Sequence, residues 1–219
     1  METKHRILMA MPCLATVPVA TMTSVLSMDK PSECVFAVTQ GSLVYDARNY
    51  LYNEAVERKC DLIFWMDSDM VFPQFALTRL VEDLDALKAS YVTGLYFTRK
   101  KPTIPTLSEY VKWQQDETGA VSHSIKEYLN YPKDTVFRIG GSGFGCCLTT
   151  TKMVGEVGTL FNTNPFDPLP GLGEDYSFCF KAADIGYDLF CDSTVKCGHV
   201  GETIVTEETY KEERERQTT

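Results

Sequence analysis

The sequence predicts a single α/β domain with a mostly parallel central sheet and a mixed C-terminal extension. Three observations carry that expectation. The first half of the chain alternates strand-like and helix-like hydrophobic patterns, which implies a parallel sheet with helices on both faces. The run Leu62-Ile63-Phe64-Trp65-Met66 is continuously apolar, as in a central strand covered on both sides. The length of 219 residues suits one large domain, and a content of 44% hydrophobic and 23% charged residues excludes wholesale disorder.

The expected elements follow in order. A strand at Arg6–Met11 leads through Pro12 into a helix at Val19–Ser27, with Met22, Val25 and Leu26 on its apolar face. A strand at Cys34–Thr39 precedes a helix at Val44–Arg58, where Val44, Ala47, Leu51 and Ala55 recur at helical spacing. A strand at Asp61–Met66 precedes a helix at Pro73–Ala89, with Leu77, Leu80, Val81, Leu84 and Leu87 as its stripe and Pro73 in its first turn. A strand at Tyr91–Tyr96 closes the series. Beyond it, strands at Thr106–Trp113 and Val121–Tyr128 flank the turn signal Asp116-Glu117-Thr118-Gly119. Short strands at Val136–Ile139 and Phe144–Leu148 come next. A Pro/Asn/Gly loop, Phe161–Gly173, leads into a helix at Glu174–Ile185 and a strand at Tyr187–Cys191. The domain is expected to span residues 1–201, with 202–219 a charged, solvated tail.

Lys and Arg number 21 against 30 Asp and Glu, a net charge of -9. That balance argues against a broad electrostatic grip on nucleic acid or anionic lipid, so any polyanion must be held locally, by a metal ion or a few placed cations. Eight scattered cysteines without a C-x-x-C pair fall mostly in apolar runs and read as reduced thiols in a cytoplasmic protein. Residues Ile7 to Met28 carry no charge, but Pro12, Pro18 and five hydroxyl side chains argue for strand, loop and helix over a leader or a membrane span.

Asp67-Ser68-Asp69 is the strongest chemical signal. It follows the buried strand, at the carboxyl end where ligands bind in open α/β sheets. Two carboxylates so close repel unless a cation joins them, so Mg²⁺ or Mn²⁺ bridging to phosphate oxygens fits; a turn capping the next helix fits too. Glu174 and Asp175 open a helix behind a long loop, where a general base could reach an acceptor hydroxyl, although acids in a first helical turn are ordinary. His199, between Gly198 and Gly201, could favour Mn²⁺ or serve only structure. The glycines of Gly140-Gly141-Ser142-Gly143-Phe144-Gly145 fit either a tightly packed strand or a substrate-facing backbone. The aromatics of Lys100–Lys133 (Tyr110, Trp113, Tyr128, Tyr131) suit either an acceptor site or packing.

Together these residues resemble the GT-A class of nucleotide-sugar glycosyltransferases, especially small family-2-like bacterial and phage enzymes. The resemblance runs from Ile7 to Gly201. It rests on the strand ending Met11-Pro12, Ala47-Arg48-Asn49, the block Phe64 to Pro73 around Asp67-Ser68-Asp69, Gly141 to Gly145, Gly173-Glu174-Asp175-Tyr176, and Gly198-His199-Val200-Gly201. It implies a GT-A (Rossmann-like) domain that moves a sugar from a nucleoside-diphosphate sugar, UDP favoured, to an acceptor hydroxyl with Mn²⁺ or Mg²⁺. Asp67, Asp69 and His199 would hold the metal. Pro12, Gln40, Arg48, Asp67, Ser68 and Gly143 would contact the donor, and Asp175 with Glu174 would form the acidic pair at the acceptor. The acceptor class (saccharide, protein, metabolite or modified nucleobase) stays open.

Three departures matter. Thr39-Gln40-Gly41-Ser42 lacks the aspartate that many members use to read uracil. The absence of Gln-x-x-Arg-Trp argues against a processive membrane synthase. The helix dipole should lower the Asp175 pKa and weaken it as a base, which keeps a retaining mechanism open. Alternatives are a sugar-nucleotide-forming nucleotidyltransferase, disfavoured because Pro12–Met28 has neither glycine nor cation, and a catalytically inactive nucleotide-sugar-binding protein.

Overall fold

A computed structural model describes residues 5–31, 33–41, 43–201 and 204–218, with side chains to 215. Ser42, and residues 202, 203 and 219 of the expected tail, lie outside the described residues. In chain order the elements are β1 (Ile7–Cys13), α1 (Val19–Ser27), β2 (Cys34–Gln40), α2 (Val44–Glu57), β3 (Leu62–Met66), β4 (Met70–Val71), α3 (Ala76–Leu87) and β5 (Tyr91–Leu95). Then come β6 (Leu107–Gln115), β7 (Val121–Glu127), β8 (Val136–Ile139), β9 (Gly141–Ser142), β10 (Cys146–Thr150) and α4 (Thr151–Phe161). Last are α5 (Glu174–Asp184), β11 (Leu189–Lys196), β12 (Gly198–Val200), β13 (Ile204–Val205) and α6 (Glu207–Thr218).

The main sheet has the order β2-β1-β3-β10-β5-β11-β8. Strands β2, β1, β3, β5 and β11 run one way; β10, between β3 and β5, and β8 at the edge run the other. β1, β3 and β5 are buried along their whole length, which is why their sequences do not alternate. Their side chains still divide by pleat. Leu8, Ala10, Ile63 and Trp65 enter one core with α2, α4 and α5. Met9, Met11, Phe64 and Met66 enter another with α3. Burying a side chain of this size contributes about 1.5–3 kcal/mol, so both layers are needed to hold the sheet.

Several boundaries differ from expectation for local reasons. α3 begins at Ala76, and Pro73 sits in the preceding turn, its carbonyl accepting from Ala76 N. α1 buries Thr21, Ser24 and Val25 and leaves Leu26 74% exposed, so of the predicted face Val25 is buried, Met22 half-buried and Leu26 turned outward. α4 was not foreseen because Gly155 and Gly158 break a helical pattern. A Cβ at Gly155 would lie 2.6 Å from the Tyr52 hydroxyl, and one at Gly158 3.1 Å from Pro165, so both glycines permit close packing. α6 does more than meet solvent. Tyr210 is buried and stacks on Phe97 at 4.8 Å, and buried Glu207 accepts from Tyr131 and pairs with Lys196. All eight cysteines are free. Among the described residues no helix is long and apolar enough to cross a membrane.

Candidate active site

The carboxyl ends of β1, β2, β3 and β5 open on one side of the sheet, and a second, small sheet decides what meets there. In it β4 pairs antiparallel with β12, His199 opposite Met70, and Val200 N donates to Asp69 O at 2.7 Å. Residues 130 positions apart are thus fixed by backbone bonds. Gly198 is needed in that sheet, since a Cβ there would lie 2.7 Å from Ile204.

His199 Nε2 lies 3.4 Å from Asp69 Oδ1. Its Nδ1 is 2.8 Å from the Phe97 carbonyl, an acceptor only, so Nδ1 carries the proton and donates. In the neutral ring Nε2 then presents a lone pair towards Asp69. With a proton on Nε2 the contact is a charge-assisted hydrogen bond, the form in which His199 stabilises the Asp69 carboxylate. Without it the two electron-pair donors could share a metal ion, and a carbonyl fixing the far nitrogen is how metal-ligating histidines are oriented. Burial raises the Asp69 carboxyl, but His199 and Arg99 outweigh it and hold Asp69 below the ordinary aspartate value. Among the described residues no group of three or more His, Cys, Asp or Glu side chains is arranged to hold a metal ion. Of the predicted trio, Asp69 and His199 meet. Asp67 instead accepts from Arg48 Nη2 at 2.8 Å.

Arg48, on α2, is 2% exposed and lies over the Phe144 ring at 5.2 Å, with its Nε 3.6 Å from Glu174. Burial disfavours its charge, but Asp67 and Glu174 more than compensate and raise its pKa. It is the strut beneath the two acidic segments.

Asp175 behaves opposite to the helix-dipole expectation. Burial first, and neighbouring Glu174 second, raise it to about 6 against the backbone bond from Tyr176 N. Desolvation wins because the Asp175 carboxyl is turned into the cleft wall, although the α5 N-terminus itself is only half-buried.

Two cavities meet at these residues. One, about 390 Å³, is lined by Pro12, Val44, Arg48, Ser68, Asp69 and Glu174 among others. The second, about 530 Å³, is lined by Tyr96, Ile104, Pro105, Ile125, Gly143 and Tyr176 among others. Asp67, Arg99, Asp175 and His199 line both. Gly143 faces the second, and a Cβ there would lie 2.1 Å from the Tyr96 hydroxyl, so its bare backbone is a packing requirement in a cleft wall. Gln40 lines neither cavity; its amide donates to the Leu14 carbonyl. A larger polar cavity, about 680 Å³, lies between α2, α4 and the loop before α5, away from the acidic residues of the cleft.

The segment foreseen for the acceptor does contribute Lys100, Ile104, Pro105, Thr106, Ile125 and Glu127, but its aromatics pack elsewhere. Trp113 donates to Pro170 O, Tyr128 packs edge-on against Phe137, and Tyr131 is buried on Glu207. Tyr96, Tyr176 and Arg99 were missed. The signal for Arg99 was its place just beyond β5, governed by the same strand-end rule that picked Asp67.

No family model and no curated protein matches the sequence. Among solved structures the fold is similar to that of A197 from STIV, with a TM-score of 0.63 and 17% identity over 93% of this chain and 91% of that one. It is also similar to GalNAc-T7, solved with UDP, GalNAc and Mn²⁺, with a TM-score of 0.59 and 12% identity over 96% of this chain and 48% of that one. The chain thus spans about half the length of GalNAc-T7. At these identities the likeness is one of fold, and the architecture is that of a GT-A-like α/β domain.

Proposed function

We propose that the protein is a metal-dependent glycosyltransferase that moves a sugar from a nucleoside-diphosphate sugar, UDP favoured, to an acceptor hydroxyl. The observation that carries this reading is the wall shared by the two cavities. It has His199 and the raised carboxyl of Asp175 between two chambers, one for a donor and one for an acceptor, with Asp69 beside His199 in the donor chamber.

Asp69 and His199 would hold Mn²⁺ or Mg²⁺, with diphosphate oxygens and water completing the shell, as these ions commonly bind beside substrate phosphates. The ion would supply charge neutralisation at the leaving diphosphate. Asp67, pinned by Arg48, would face the donor's ribose or sugar. Pro12, Ser68 and Val44 would shape the chamber that takes the nucleotide. Asp175, at about 6, is mostly ionised at neutral pH yet more basic than an ordinary aspartate, which suits it to take the acceptor's proton as the sugar transfers. Glu174 would act through Arg48 and Asp175 by charge.

Mn²⁺-dependent release of UDP from UDP-sugars tests the reading. Turnover should fall at least about 100-fold in Asp69→Asn and in Asp175→Asn. Unchanged turnover in both variants would contradict it.

A further inference from the structure

We propose that Arg99 is a mobile positioning cation, which holds Asp69 oriented before a divalent ion binds and moves to the donor's diphosphate afterwards. The inference rests on the donor reading above and concerns a residue that reading leaves without a role.

Arg99 Nη1 lies 2.8 Å from Asp69 Oδ2 and donates to Val200 O at 3.3 Å. It therefore engages the carboxylate oxygen that His199 does not approach. A divalent ion drawn to Asp69 and His199 competes with this guanidinium for one carboxylate, and two cations on it repel. Arg99 has somewhere to go. Its side chain is 50% exposed, against 2% for Arg48, so releasing it uncovers little packed surface. It lines both chambers, so a change of rotamer keeps it in the cleft. A planar guanidinium is suited to two oxygens of a diphosphate.

The backbone beneath it is braced. Phe97 stacks on Tyr210, Thr98 N donates to Ile104 O, and Thr103 N donates to Glu213 of α6. The arrangement is a fixed base with a side chain held at its tip by one carboxylate and one carbonyl. Arg48 is the opposite case, a buried cation with both carboxylate neighbours close and no comparable freedom.

The test is a pair of binding measurements on wild type, Arg99→Gln and Arg99→Lys. Mn²⁺ alone is followed by loss of the free-ion electron paramagnetic resonance signal. UDP is then titrated calorimetrically at saturating Mn²⁺. Arg99→Gln should bind Mn²⁺ alone about three- to tenfold more tightly than wild type, because its competitor is gone. It should bind UDP with Mn²⁺ about tenfold more weakly, the worth of one charge-assisted hydrogen bond. Arg99→Lys, a point charge without the fork, should keep wild-type Mn²⁺ affinity and recover only part of the UDP affinity. The opposite signs are the signature, since a merely structural role would weaken both. Equal or weaker Mn²⁺ binding in a folded Arg99→Gln, or unchanged UDP binding, overturns the Arg99 role and leaves the donor reading standing. Wild type that binds neither Mn²⁺ nor UDP overturns both.

Discussion

Asp175 owes its chemistry to where α5 begins. A carboxylate in a first helical turn gains from the dipole, but here the Asp175 carboxyl is desolvated in a half-buried turn and the adjacent acid adds repulsion, so the proton is held up to about 6. If Asp175 is the base, kcat should rise with pH along a limb near 6. Asp175→Asn should lose that limb along with most of the rate, which a pH–rate profile of both enzymes checks. Arg48 shows the other use of burial. Removing it by Arg48→Ala leaves Asp67 and Glu174 facing each other in the cleft without their cation. A loss of about 1–3 kcal/mol is expected, read by chemical denaturation, below the cost for a fully buried pair because Asp67 and Glu174 keep some access to water. Of the candidate site, Asp67 and Asp69 stand out in the sequence as a carboxylate pair at a strand end, whereas Glu174 and Asp175 draw notice through the long loop before them and His199 through its flanking glycines. Arg99 and Tyr96 also lie beyond a strand end, but a lone cation or tyrosine there lacks the mutual repulsion that singles out a carboxylate pair.

At the scale of elements, α3 and β11 share a buried acid pair that lies outside the cleft. Asp192 is 0% exposed, accepts from Thr194 and pairs with Arg79, so it stays ionised. Asp83 is raised to about 7, by burial first and then by its hydrogen bond to Asp192. The folded state therefore binds a proton that the unfolded chain releases near pH 4. Between about pH 4 and 7 the native state carries more protons, so this pair makes stability fall as pH rises through that window, and levels off above it. Asp83→Asn keeps the hydrogen bond without the proton. It should raise the Tm at pH 8 by about 2–4 °C and change it little at pH 4.5, which differential scanning fluorimetry reads. A larger gain at acid pH would contradict the assignment. The main strands and α2, α3 and α5 were legible from periodicity within a few residues. α4 was hidden by two glycines whose purpose is contact with Tyr52 and Pro165, a tertiary fact. The sheet formed by β4, β12 and β13 was also hidden, because two- and three-residue strands leave too little pattern to read.

For the whole molecule, the sheet order does what no local signal foretold. Inserting β10 antiparallel between β3 and β5 delivers the glycine segment to the end of β3, where Asp67 N donates to Gly145 O. The crossing of β12 onto β4 brings the imidazole back from the far end of the chain. A ligand that joins these parts should stabilise all of them. UDP with Mn²⁺ should raise the Tm by several degrees, more than the sum of either alone, and His199→Ala should abolish the excess. The most direct measurement is the anomalous scattering of manganese in crystals of the protein grown with Mn²⁺ and UDP. One strong peak is expected within about 2.5 Å of both a carboxylate oxygen of Asp69 and Nε2 of His199, with the diphosphate against it. Nucleotide in the cleft with no manganese at that pair, or manganese bound only elsewhere, would contradict it.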